Sequence, residues 1–181
     1  SNDSSSLAIE IHNDGATTND NRLGAAADLQ LVLEKSGEPA RMLVSAGDNI
    51  YRFELASLWE RFLLGNHHCI TALQETDESR LKKSGVLQLG DEDRVLRLDE
   101  KPSKPTSNWL CPPLYFFQPS VMNHLNSFLT TSETRDAPGH FIAWLCRQEP
   151  VYAFRLTSSR LDIGSIDTYR QADRLLRQKP I

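Results

Sequence analysis

No apolar run in the 181 residues approaches the roughly 20 that a membrane-spanning helix needs, so no membrane partner is expected. The N-terminus also lacks the charged stretch and apolar segment of a secretory leader. Cysteine is scarce. Cys69, Cys111 and Cys146 are far apart and odd in number, with neither C-x-x-C nor Cys/His metal spacing. That pattern excludes a disulfide framework and reads as reduced core thiols of a cytoplasmic protein. Two phosphate-binding motifs, G-x-G-x-x-G and G-x-x-x-x-G-K-S/T, are missing, and so is a G-x-S-x-G nucleophile elbow. There is no excess of positive charge. Lys plus Arg is 20 against 24 for Asp plus Glu, a net charge of -4, so a nucleic-acid partner is not expected.

What remains is an ordinary globular composition, long enough for one domain with a real core. Residues 1–6 (SNDSSS) read as a disordered or vector-derived start, and residues 7–181 as a single domain. Alternating Leu7, Ile9 and Ile11 suggest a strand. A loop rich in Asn, Asp and Thr follows, then a helix over 23–36 with Gly37 at its C-terminal cap. The run 42–46 (MLVSA) fits a strand buried on both faces, closed by Gly47-Asp48-Asn49. Leu55, Leu58, Trp59, Phe62 and Leu63 share one helical face. Further strands are expected at 69–73, 86–89, 95–98, 114–117 and 151–156, with a turn at 91–93 and a Pro/Ser loop at 102–108. Helices are expected from Pro119, over 141–146, and after an N-cap at Ser165. Strand–helix alternation at both ends with a strand-rich middle predicts a three-layer α/β fold. Its central sheet should be mixed and mostly parallel, with helices on both faces.

Three acidic positions could carry chemistry. Asp48 follows a buried strand directly, and the C-terminal edges of strands in such sheets face the ligand crevice. Asp162 likewise stands between a strand and a helix. Two such carboxylates could share a hard cation, most naturally Mg²⁺, if the fold brings them together. Glu100-Lys101-Pro102 offers a carboxylate and an ammonium beside a stiff loop, suited to a ligand with hydroxyls and a phosphate. Each also has an ordinary reading, as turn, cap or solvated ion pair. Arg22-Leu23-Gly24-Ala25 opens a helix, where Gly24 would let a ligand approach the backbone. His67-His68-Cys69 shows no partner ligands in the sequence. Arg170, Arg174 and Arg177 read as a solvated helix face.

In order, the stretches 42–53 (MLVSAGDNIYRF), 84–122 (SGVLQLGDEDRVLRLDEKPSKPTSNWLCPPLYFFQPSVM) and 149–172 (EPVYAFRLTSSRLDIGSIDTYRQA) resemble the sugar-phosphate nucleotidylyltransferases. Residues 13–25 resemble the same family's segment before its second crossover helix. The resemblance implies transfer of a nucleotidyl group from a nucleoside triphosphate to a sugar 1-phosphate, with release of pyrophosphate. It implies that Asp48 and Asp162 bind Mg²⁺, that Glu100 meets sugar hydroxyls, and that Lys101 meets the phosphate. Gly85 would contact the sugar through its backbone, Gly24 the nucleobase, and Asn49 is counted with the substrate-binding residues.

There are departures. The family's N-terminal strand and Gly-rich triphosphate loop, about 40 residues, have no counterpart here. The chain is therefore expected to be N-terminally incomplete and weakly active or inactive alone. An unpaired sheet edge left this way favours a homo-oligomer. Pro113 stands where a Gly often precedes the Leu-Tyr-Phe strand, and Arg160-Leu161 stand where an aromatic residue is common. Two alternatives accompany the enzyme reading. One is a non-catalytic nucleotidyltransferase-like module that binds a sugar nucleotide or partner chain. The other is a metal-dependent glycosyltransferase, for which Gly47-Asp48-Asn49 lacks the D-x-D pattern.

Overall fold

The computed structural model describes residues 8–37, 41–132, 137–157 and 160–178. Residues 1–6, the expected start, and Leu7 lie outside them. A short 3-10 turn at Asn19–Asn21 leads to α1 (Ala25–Ser36), β1 (Met42–Ser45), β2 (Asn49–Tyr51) and α2 (Leu55–Leu64). Then come β3 (His68–Gln74), α3 (Glu78–Leu81), β4 (Gly85–Leu89), β5 (Val95–Glu100), β6 (Trp109–Cys111) and β7 (Leu114–Phe117). The chain continues through α4 (Val121–Thr131), α5 (Pro138–Leu145), β8 (Val151–Leu156), β9 (Arg160–Asp162) and α6 (Ile166–Gln178).

The main sheet is built around β3. One edge of β3 pairs in parallel with β8 from His68↔Val151 to Leu73↔Leu156. Its other edge is shared by two antiparallel partners, β7 at Cys69 and Ile70 and β6 at Leu73 and Gln74. β7 carries β1 on its far side, and β6 leads on to β4 and β5. The fold is α/β and the sheet is mixed, as expected. The expected predominance of parallel pairing is not observed. Among the described residues β3–β8 is the one parallel pair, because the middle strands follow one another through short connections that reverse the chain.

Strand alternation sorts the core into two layers. Ile70, Ala72, Tyr115, Phe117, Val151 and Ala153 face α1, α4 and α5. Cys69, Leu114, Phe116, Phe154 and Leu156 face α2, whose Leu58 and Phe62 complete that side. Phe116 is fully buried, with its ring centroid 5.6 Å from that of Phe62 and 5.3 Å from that of Phe154. The α2 face is narrower than the spacing predicts: Leu55 and Leu63 stay exposed. The strand expected at 7–11 does not form over its described residues, and Ile9 and Ile11 are more than four-fifths exposed. Alternation alone cannot make a strand without an edge to pair with. β1 is half-buried rather than buried on both faces, since its only ladder among the described residues is with β7.

A second, two-stranded sheet joins distant parts of the chain. β2 and β9 pair antiparallel, Asn49↔Asp162 and Tyr51↔Arg160. Ser165 caps α6 as the sequence suggests: its Oγ accepts from the Thr168 N–H at 3.2 Å. No helix among the described residues is long and apolar enough to cross a membrane.

Candidate active site

Asp48 lies in the turn that carries β1 into β2, and Asp162 ends β9. The β2–β9 ladder brings them together, and the Ile163 N–H donates to the Asp48 carbonyl at 2.8 Å. Both carboxylates flank Gly164. A methyl group built there would lie 3.2 Å from Asp162 Oδ1 and 3.5 Å from Asp48 Oδ2. Asn49 Nδ2 donates to Asp48 Oδ1 at 2.7 Å, and the Gly164 N–H donates to Asp162 Oδ1 at 3.0 Å. Arg160 Nη1 donates to Asn49 Oδ1, while Nη2 stands 3.6 Å from Asp162 Oδ2. The two aspartates, Asn49 and Arg160 therefore form one connected cluster. Asp162 and Arg160 line a cleft of about 1200 Å³ together with Trp109, Arg155, Ser165 and Thr168.

Glu100 ends β5, and Lys101 follows it directly. The Glu100 carboxylate sits between two glycines. A Cβ on Gly85 would be 3.2 Å from Glu100 Oε2, and one on Gly139, in the first turn of α5, would overlap that oxygen. Burial pushes the Glu100 carboxyl above the ordinary range, opposed by the nearby Lys101 and His140. Lys101 takes a left-handed backbone, φ 48°, in front of Pro102, a conformation unfavourable for a residue with a side chain. It is held by a bond from its N–H to the Ser84 carbonyl at 3.0 Å. Glu100 lines a separate cleft of about 380 Å³ with Pro102, Thr106 and His140. Burial pushes the Tyr115 phenol well up.

Gly24 is the N-cap of α1 with φ 88°, a left-handed conformation suited to glycine. It takes no part in the aspartate cluster. The three cysteines are free thiols, as expected. Burial raises Cys69 and Cys146 to about 12 and Cys111 higher still, so all three are unreactive at neutral pH.

The structure corrects one reading. His68 does have partners: His124 and Glu149 bring ligand atoms within 4.8 Å of one another and of His68. The hydrogen bonds argue against a metal. The Gln118 N–H donates to His68 Nδ1 at 3.1 Å, which leaves the neutral ring's proton on Nε2, facing Glu149. That nitrogen has no lone pair for a cation. The trio is a strut between β3, α4 and the turn before β8, with His68 buried and His124 and Glu149 partly exposed. The Arg170, Arg174 and Arg177 side chains are exposed, and Arg177 pairs with Asp173 at 2.9 Å.

The profile of the family described as nucleotidyl transferase matches residues 2–179. The chain belongs to this family. Similar nucleotidyl transferases include glucose-1-phosphate adenylyltransferases. That of Clostridium novyi is 22% identical over 141 residues, 75% of this chain and 36% of its own. That of Thermomicrobium roseum is 25% identical over 146 residues, 77% of this chain and 33% of its own. The chain thus spans about a third of the length of these relatives. Among solved structures, a Bacillus anthracis protein described as a glucose-1-phosphate thymidylyltransferase and crystallised with sucrose shares the fold. Its TM-score is 0.71 at 20% identity, covering 87% of this chain and 63% of that one.

Proposed function

We propose that the protein transfers a nucleotidyl group from a nucleoside triphosphate to a sugar 1-phosphate, giving a nucleotide sugar and pyrophosphate. The observation that carries this reading is the convergence of Asp48 and Asp162 on Gly164, in a chain of the nucleotidyl transferase family. Names of relatives that act on glucose 1-phosphate support a hexose phosphate as acceptor.

Two exposed carboxylates make a hard oxygen donor set, and Asp48 Oδ2 faces the shared glycine. This suits Mg²⁺, which commonly takes one or two carboxylates and fills its shell with water and phosphate oxygens. Asp48 and Asp162 would hold the ion, which when bound screens the charge between the reacting phosphates. Asn49 fixes Asp48 through its carboxamide. Glu100 accepts hydrogen bonds from sugar hydroxyls, and Lys101 offers an ammonium to the sugar phosphate. The buried Gly85 lets the sugar lie against backbone, and Gly24 does the same for the base. The attacking sugar phosphate is already an anion, so no side chain has to remove a proton. Catalysis then rests on position and charge. Three unpaired thiols fit a reducing compartment, the cytoplasm.

Pyrophosphate release tests the reading. The full-length gene product should turn over with Mg²⁺ and one pairing from a panel of nucleoside triphosphates and sugar 1-phosphates. Nucleotide-sugar binding in calorimetry without turnover on any pairing would favour the non-catalytic module instead.

A further inference from the structure

The aspartate pair already has a cation. Arg160 projects from β9, and its side chain is only 14% exposed. One nitrogen of its guanidinium donates to the Asn49 carboxamide oxygen, while the Asn49 amide donates to Asp48. A second nitrogen stands 3.6 Å from Asp162 Oδ2. The one guanidinium therefore reaches Asp162 directly and Asp48 through a single carboxamide. Its charge also extends inward to the phenols of Tyr51 and Tyr115. A side chain this covered cannot swing into solvent without repacking, and arginine does not lose its proton at any working pH. The pair thus presents the net charge of one carboxylate, not two.

We propose that Arg160 is a resident counter-cation of the aspartate pair, holding Asp162 in the ligand-free protein and opposing a divalent cation there. The proposal rests on the reading of Asp48 and Asp162 as the metal pair. It makes ion binding depend on ligand phosphates: alone the ion competes with the guanidinium, whereas a phosphate supplies the missing negative charge and gives the guanidinium a second acceptor.

The test is Mn²⁺ binding to the protein without nucleotide, followed by the paramagnetic resonance of the free ion. Arg160→Gln removes the charge and keeps a donor, while Arg160→Lys keeps the charge. The Gln variant should bind Mn²⁺ about tenfold more tightly than wild type and the Lys variant within about twofold of it, the size of a double charge repelled by a single one across roughly 6 Å of water-like dielectric. An unchanged Gln variant, or equal shifts in both variants, overturns the counter-cation role. If Asp162→Asn leaves the binding intact, the metal-pair reading itself fails, and the proposal with it. A second readout needs no variant. In the wild-type protein, saturating Mg²⁺ should move the Arg160 side-chain Nε–H resonance. A resonance that stays in place overturns the proposal.

Discussion

The proposed sugar contact of Glu100 comes at the expense of the fold. Burial raises its folded pKa above the unfolded value of 4.5. The sign follows: its contribution to stability is present below about pH 4.5 and is lost as pH rises through the folded value. At pH 7 the fold carries a partly buried charge. Glu100→Gln should therefore melt higher than wild type at pH 7, with the gap closing at pH 4. The same variant should bind sugar 1-phosphate about tenfold or more weakly, since a charged acceptor is lost. Thermal melts at the two pH values and calorimetry check the two halves. Gly139 acts on the same carboxylate. A methyl there overlaps the far end of the flexible Glu100 side chain, so Gly139→Ala should displace the carboxylate and leave the fold intact. Its binding loss should match that of Glu100→Ala, and the double variant should be no worse than either. Additive losses would show that Gly139 acts elsewhere.

At the scale of elements, α2 is held to the sheet by the stack of Phe62, Phe116 and Phe154. Phe116→Ala should cost about 3–5 kcal/mol in denaturant unfolding. The His68 strut carries a pH dependence. Burial, its largest influence, lowers the His68 pKa below 6.5, with Glu149 opposing. A folded pKa below the unfolded one means stability present above about pH 6.5 and lost as pH falls toward the folded value. The melting temperature should fall between pH 7 and pH 5, and His68→Gln should flatten that slope.

Which elements could be read in advance follows from their length. α2, α4 and the apolar runs of β3, β4, β7 and β8 repeat their period often enough to show it. β6 and β9 have three residues each and α3 has four, too few to display a period. Pro138 proves to start α5 three residues before the expected Phe141, in keeping with proline's fit to a first turn. Ile9 and Ile11 show the opposite failure, a period without a pairing edge. At the site, Glu100 and Lys101 could be singled out by the stiff loop beside them, and Asp48 and Asp162 by their places after strands. Their convergence could not, because it depends on the β2–β9 ladder between distant segments. The same ladder places Arg160 beside Asn49, and the His68–His124–Glu149 strut likewise joins three remote positions.

For the whole molecule, the fold assigns the two ends of the site to different supports. The small β2–β9 sheet holds the aspartates, and the end of β5 against α5 holds Glu100. Substitutions at the exposed aspartates should therefore leave the core untouched, and both Asp48→Asn and Asp162→Asn should melt within about 2 °C of wild type, as surface changes generally do. The most direct measurement is Mg²⁺-dependent pyrophosphate release by the full-length gene product carrying each substitution. The account predicts that either one lowers kcat/KM by about 100-fold or more at unchanged stability, the loss expected when charge stabilisation is removed from a transition state. Turnover that survives either substitution at the wild-type rate would contradict it.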